Sequence, residues 1–295
     1  MSLLEVSDLS KAFKRNPLRA RLNAAPAEAV VLNSVSLSIQ VGEILGLVGE
    51  SGSGKSTLAN CILGLVSPTS GEIRFQGRRL NGNMRRAGKI QAVFQDPHES
   101  LNPRMTVLNI ILEPLEILGL GSGVWRREKV LQIMQMVGLS AEHAEQRPSK
   151  LSGGQKQRAA IARALVAEPE LLIADEPVSA LDVSVQAQIL NLLAELRTRL
   201  DLTILLISHD FSVVGQLCDR VAVMQRGSLV EMAPTALLLE SPRHPYTRSL
   251  LASIIPESAP AARKWVSREV PSWQGEIGPL QEAAPGHWVA ASGDD

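Results

Sequence analysis

The chain has 295 residues, of which 45% are hydrophobic and 20% charged, a composition of an ordinary globular protein able to bury a sizeable core. Its 30 Lys plus Arg balance 30 Asp plus Glu, so no global field recruits nucleic acid or an anionic membrane. Cys61 and Cys218 stand alone in their neighbourhoods, which argues against a disulfide framework, a zinc ribbon or a four-cysteine iron–sulfur cluster and for a reducing compartment.

An initial strand-like segment opens the chain, with no basic stretch leading into an apolar one over Met1 to Ser10, so no secretory signal is expected. Residues 14–30 form a connection holding Lys14, Arg15, Arg19 and Arg21 with no acid until Glu28, readable as a solvated loop or as a contact for lipid headgroups or a partner. A Val/Ser/Leu alternation follows at Val30 to Ile39. Short apolar stretches predict strands at Ile44 to Val48, Ile90 to Phe94, Leu171 to Ala174, Ile204 to Ile207 and Val221 to Met224. Helices are predicted between them at Ser56 to Leu65, Lys156 to Glu168 and Val185 to Leu200. From Asp96 to Lys150 the pattern is largely helical, best at Met105 to Leu118 and Arg126 to Val137, as for an inserted helical segment. After Met232 the chain is rich in Pro and Ala, and beyond Pro256 an irregular or poorly ordered tail is expected. Uninterrupted apolar runs never exceed four residues, so no membrane span is predicted and any membrane-crossing part belongs to other chains. Buried strands alternating with helices imply a mainly parallel, doubly wound sheet, with ligands bound beyond the carboxyl ends of its strands.

Gly49-Glu50-Ser51-Gly52-Ser53-Gly54-Lys55-Ser56 fits G-x-x-x-x-G-K-[ST] between a predicted strand and a predicted helix, the context a P-loop requires. Its glycines let the backbone N–H groups of Gly49, Ser51, Gly52, Ser53 and Gly54 turn toward nucleotide phosphates, and Lys55 reaches the β and γ phosphates. Ser56 suits Mg²⁺, and Thr57 follows it in the same nucleotide-binding turn. Leu171 to Ala174 runs into Asp175-Glu176; adjacent acids there suit a magnesium shell at Asp175 and a water-orienting group at Glu176. Leu151-Ser152-Gly153-Gly154-Gln155 precedes a helix, where Ser152 and Gln155 have the spacing of a capping box, and a capped helix start also offers N–H groups and a hydroxyl to an anion.

Those five residues match the signature of ATP-binding cassette proteins, and their place between the phosphate loop and the Asp175-Glu176 strand resembles that family. The resemblance implies an α/β P-loop NTPase (RecA-like) core with a mainly parallel sheet, a small antiparallel β subdomain and an inserted helical subdomain. The corresponding division is a core at 1–95 and 161–232, the helical subdomain with the signature at 96–160, and a C-terminal extension at 233–295. By the same resemblance Gln95 is the Q-loop glutamine linking magnesium and water to the helical part. Ser179-Ala180-Leu181-Asp182 is the D-loop, His209 the switch histidine at the γ-phosphate, and Phe13 the aromatic that stacks on adenine. Glu176, His209 and Gln95 are then the catalytic set; Ser152, Gly153, Gly154 and Gln155 join the phosphate loop in binding nucleotide; and Ser56, Gln95 and Asp175 hold the metal.

Longer stretches narrow the resemblance. Phe94 to Val107, Asp175 to Gln188 and Ser241-Pro242-Arg243-His244-Pro245-Tyr246-Thr247-Arg248-Ser249-Leu250-Leu251 look like ATPase subunits of oligopeptide, dipeptide and nickel importers. Gly286-His287-Trp288-Val289-Ala290 weakly resembles the end of that subfamily, and the absence of cysteine after Cys218 excludes the cysteine-rich tail of some members. The implied activity is ATP hydrolysis with Mg²⁺ at the cytoplasmic face of the bacterial inner membrane. The implied assembly is a head-to-tail pair with a second identical or homologous ATPase, two membrane permeases and an extracytoplasmic solute-binding protein, with no nucleic acid. The substrate stays open among peptide, nickel and chelated metal. A soluble cassette ATPase acting on ribosomes or DNA is the alternative, against which stand the single cassette and the lack of a long coiled-coil insertion; a purely regulatory nucleotide binder is disfavoured because Glu176 and His209 are both present.

Overall fold

Alternation of apolar and polar side chains forms the first two strands. β1 (Ser2–Lys14) and β2 (Glu28–Gln40) pair antiparallel, with Val6 opposite Leu37 and Leu9 opposite Val35, and these four residues are buried with Leu4, Leu32 and Ile39. The structure, a computed structural model, describes residues 1–14, 28–80, 88–96, 100–254, 275 and 277–292. Arg15, Arg19 and Arg21 of the basic connection lie outside the described residues. β3 (Ile44–Val48) is buried along its whole length, as a strand covered on both faces must be, and α1 (Lys55–Leu63) follows the phosphate loop. β4 (Ser70–Phe75) and β5 (Arg78–Arg79) complete a four-stranded antiparallel sheet in the order β2-β1-β4-β5. These elements, with the chain from Leu206 onward, form one compact unit; Arg85–Leu205 forms another.

In the second unit β6 (Ile90–Val93) and β7 (Leu171–Asp175) pair in parallel, Ile90 opposite Leu171 and Val93 opposite Ala174. Between them run α2 (Val107–Ile117), α3 (Gly123–Met136), short 3₁₀ turns at Ala141–His143 and Pro148–Lys150, and α4 (Gly153–Leu165); α5 (Val183–Leu200) follows β7. The N-caps are the expected types: Thr106 accepts from Asn109 N–H, Ser122 from Trp125 N–H and Asp182 from Val185 N–H. α4 starts at Gly153 and not at the predicted Lys156, because the Ser152 cap recruits two glycines of low helix propensity into the first turn.

β8 (Thr203–Ser208) carries the chain from the second unit into the first, followed by α6 (Phe211–Leu217), β9 (Arg220–Gln225), β10 (Ser228–Pro234), α7 (Thr235–Glu240), α8 (Pro245–Ile254), β11 (Ile277–Ala284) and β12 (His287–Ser292). Within the first unit the strand order is β11-β12-β10-β9-β3. β3 runs parallel to β9, with Leu45 opposite Arg220 and Val48 opposite Val223. The entry to β3 is fixed by the Asp219 carboxylate, which accepts the Ile44 N–H at 2.8 Å, and by Arg220, which donates to buried Glu43 at 3.0 Å.

The expected irregular tail needs correction where it is described. Residues 277–292 form a β-hairpin whose second strand pairs with β10, Glu231 opposite Val289 and Met232 opposite Trp288. Its turn uses Gly286 at φ +71°, and its anchor is internal: His287 is fully buried against Glu231. Cys61 and Cys218 are free, buried thiols. Among the described residues no helix is long and apolar enough to cross a membrane.

Candidate functional site

The loop between β3 and α1 is shaped by glycines at two points where a side chain does not fit. A Cβ on Gly49 would lie 2.1 Å from the Met224 carbonyl oxygen, and one on Gly54, at φ +110°, would lie 2.9 Å from the Val31 carbonyl oxygen. Gly54 is the N-cap of α1 and offers no side chain to its first turn, so the leading N–H groups receive no capping oxygen there. Lys55 is 6% exposed and its ammonium is held by the loop itself: Nζ donates to the Gly49 carbonyl at 2.7 Å and to the Glu50 carbonyl at 2.8 Å. Ser53 is buried beside it, while Ser51, Gly52 and Ser56 are exposed and Thr57 half-buried. A positive charge beside a helix start without a side-chain cap is an arrangement that can receive an anion.

His209 in the same unit is exposed between β8 and α6, and Asp210 after it caps α6 by accepting the Ser212 N–H at 2.7 Å. Phe13 is 41% exposed at the end of β1, with Lys11 Nζ 4.9 Å from its ring centroid; it is a surface aromatic, not a core one.

The second unit holds the other predicted groups. Because β6 and β7 are neighbours in parallel register, Gln95 and the Asp175-Glu176 pair leave the same end of adjacent strands. Gln95 is exposed; Asp175 and Glu176 are half-buried. Glu176 sits at φ +47°, a left-handed conformation that costs a non-glycine residue about 1 kcal/mol or more. The turn around it is closed by Ser179, whose N–H at 3.3 Å and hydroxyl at 3.1 Å both donate to the Glu176 carbonyl. Downstream, Asp182 accepts from the Ser184 hydroxyl at 2.7 Å and the Val185 N–H at 3.0 Å, and these hydrogen bonds, the Ser184 one foremost, hold its carboxyl below the usual range.

The capping box at the start of α4 is formed in full. Ser152 Oγ accepts the Gln155 N–H at 3.3 Å and Gln155 Oε1 accepts the Ser152 N–H at 2.9 Å. Since capping uses the serine oxygen as acceptor, its hydrogen stays available to a further anion. Sequence reasoning found this cap but not why the next residues are glycines. A Cβ on Gly154 would lie 2.7 Å from Val185 Cγ1, and one on Gly153 3.3 Å from Leu181 Cδ2, so the helix start rests directly on the segment 181–185. Within the second unit Gln95 and Asp175 can each offer a side-chain oxygen, the kind of ligand a hard divalent cation takes, and Ser56 in the first unit has a hydroxyl oxygen of the same kind.

One neighbour of the phosphate loop has no signal in the sequence beyond its place in the Ser241 to Leu251 stretch. Tyr246, 5% exposed on α8, accepts the Glu50 N–H on its hydroxyl oxygen at 3.2 Å, and burial pushes its phenol up.

Comparison with known proteins follows the same residues. A family model described as ABC transporter matches residues 32–179, and one described as oligopeptide/dipeptide transporter, C-terminal region, matches residues 230–275. The chain is 46% identical to the oligopeptide transport ATP-binding protein OppF of Bacillus subtilis over 270 residues, 88% of each chain. It is 45% identical to the glutathione import ATP-binding protein GsiA of Salmonella typhimurium over 306 aligned positions, 98% of this chain but 48% of that protein, so it spans about half the length of that relative. Among solved structures, the dimeric ABC transporter cassette MJ0796 superposes with a TM-score of 0.69 at 32% identity, over 79% of this chain and 98% of that one. The same cassette in a post-hydrolysis dimer bound to ADP and Pi gives a TM-score of 0.68 over the same shares of the two chains.

Proposed function

We propose, proceeding from the fact that the chain belongs to the ABC transporter family, that it is the ATP-hydrolysing subunit of a bacterial importer for short peptides. The observation that carries this reading is the buried Lys55 ammonium gripped by the carbonyls of a glycine loop that opens onto an uncapped helix start. In the proposed reaction Lys55, oriented by the loop carbonyls, reaches the β and γ phosphates, and backbone N–H groups of Ser51, Gly52, Gly54 and the helix start take the remaining oxygens. Glu176 orients and polarises the attacking water, Gln95 carries the state of the γ-phosphate to the helical segment 96–160, His209 contacts that phosphate and Phe13 stacks on adenine. Ser56, Gln95 and Asp175 would hold magnesium, which would supply positive charge against the charge developing on the phosphates.

Ser152, Gly153, Gly154 and Gln155 of a second ATPase, identical or homologous, close over the nucleotide in a head-to-tail dimer, a reading supported by the dimeric cassettes that the fold resembles. ATP joins the two halves and hydrolysis parts them, and that movement is passed to two membrane permeases fed by a solute-binding protein. The chain then works as a peripheral subunit on the cytoplasmic face of the inner membrane. The names of its relatives, oligopeptide transport and glutathione import, favour a peptide over nickel as cargo, and none favours a ribosomal or DNA partner. The test is purification of the tagged chain from its native host. Two permeases and an ATP turnover that Lys55→Ala abolishes are expected; recovery with ribosomes or DNA and without permeases overturns the reading.

A further inference from the structure

Apart from the residues assigned to nucleotide, the first unit contains a second polar centre, in which Glu231, His244 and His287 are fully buried. Glu231 on β10 collects three donors: the Arg243 N–H at 2.7 Å, the His244 N–H at 3.0 Å and His287 Nε2 at 2.7 Å. The two backbone N–H groups donate to the carboxylate, and the short His287 contact completes its hydrogen bonding. A carboxylate at this depth is tolerable only when its oxygens are saturated in this way, and the saturation fixes the backbone at 243–244. Arg243 also donates to the Ala283 carbonyl on β11 at 3.0 Å, and His244 Nδ1 accepts the Tyr246 N–H at 3.1 Å. Hairpin, strand β10 and the first turn of α8 are thereby tied at one point, and Tyr246 projects from it to the phosphate loop.

The contact it makes there falls on one peptide plane. The Gly49 carbonyl and the Glu50 N–H belong to the same planar, trans unit and point in opposite directions. Lys55 Nζ grips the carbonyl side at 2.7 Å and the Tyr246 hydroxyl grips the N–H side at 3.2 Å. Beside the close packing of Gly49 on the Met224 carbonyl, these two grips are the hydrogen bonds that fix the orientation of the plane.

We propose that Tyr246 is a positioning residue for the phosphate loop: it locks the Gly49–Glu50 peptide in the orientation that presents a carbonyl to Lys55, and the Glu231 centre with the C-terminal hairpin sets where Tyr246 stands. The proposal rests on the reading of Gly49–Ser56 as the ATP-phosphate loop. Without the hydroxyl the plane rotates, Lys55 loses a defined resting place, and the loop must be reordered when nucleotide arrives.

The test uses the full chain, with ATP affinity, steady-state KM and kcat in the purified transporter, and hydrogen exchange at the phosphate loop. Tyr246→Phe removes one hydroxyl and keeps the ring, so ATP binding should weaken about two- to tenfold, the worth of one hydrogen bond. KM should rise by the same factor while kcat stays within about twofold, and exchange at the Glu50 amide should quicken. Thr247→Val is the control for loosening of α8, because Thr247 is fully buried and its hydroxyl has no hydrogen bond among the described residues. Unchanged ATP affinity in Tyr246→Phe, or an equal loss in Thr247→Val, overturns the positioning role. Lys55→Ala separates this from the underlying reading: if it binds ATP like the wild type, the loop is not the phosphate site; if it loses ATP while Tyr246→Phe does not, only the role of Tyr246 falls.

Discussion

Acid should loosen this protein through His244. The imidazole is fully buried, and its pKa is lowered to about 4; burial is the main cause and Arg248 adds to it, against the opposing pull of Glu231. Protonation would also set an Nδ1–H against the Tyr246 N–H that Nδ1 now accepts. In the unfolded chain the ordinary value of 6.5 applies, so below that pH the unfolded state takes up a proton that the folded state refuses until about pH 4. Stability is therefore fully present above the unfolded value and is lost as pH falls through the window between the two. The gap from 6.5 to about 4 corresponds to roughly 3 kcal/mol in all, of which about 2 kcal/mol is gone by pH 5. Urea unfolding at about pH 7.5, 6 and 5 should be compared with His244→Asn, whose amide oxygen can keep the hydrogen bond to Tyr246 N–H and does not titrate. The variant starts less stable, and its deficit should shrink by about 2 kcal/mol on reaching pH 5. A deficit that stays constant across this range refutes the reasoning, because every other titrating group is common to both proteins.

Lys55→Ala should abolish ATP turnover and weaken ATP binding, read by hydrolysis in the purified transporter and by nucleotide titration. Ser152→Ala should cost about 1 kcal/mol of stability even without a partner, through loss of the α4 cap. Ser152→Asp keeps a good cap but sets a negative charge toward the proposed phosphate, so unfolding should be nearly unchanged while hydrolysis falls; equal hydrolysis in the two variants would leave Ser152 a cap and nothing more. Gly154→Ala should be destabilising through its 2.7 Å approach to Val185 Cγ1, and adding Val185→Ala should recover at least about 1 kcal/mol in a double-mutant cycle.

Much of this was legible in the sequence because buried strands announce themselves. Ile44 to Val48 is observed with the predicted ends, and Leu171, Ile204 and Val221 each fall within a residue of a strand start. The strand-to-helix loop before Lys55 was readable because its glycine pattern demands one local geometry. Less was legible wherever a long-range partner decides. The hairpin over 277–292 is held by strand pairing with β10 and by a buried carboxylate, both far away in sequence, so its local composition reads as tail. Tyr246 gave no sign of reaching Glu50, and Gly154 no sign that Val185 requires it, because both contacts are set by packing. Helix starts slipped where a cap overrode propensity, as at Gly153.

The measurement closest to the central claim is made on Glu176→Gln, which keeps the size of the side chain and removes the charge that polarises water. Hydrolysis should fall by orders of magnitude while ATP still binds, and the protein, with its companion ATPase where there is one, should accumulate as an ATP-dependent dimer seen as a size shift that ADP does not produce. Hydrolysis at the wild-type rate would contradict the role given to Glu176, and loss of turnover with no ATP-dependent association would contradict the head-to-tail dimer.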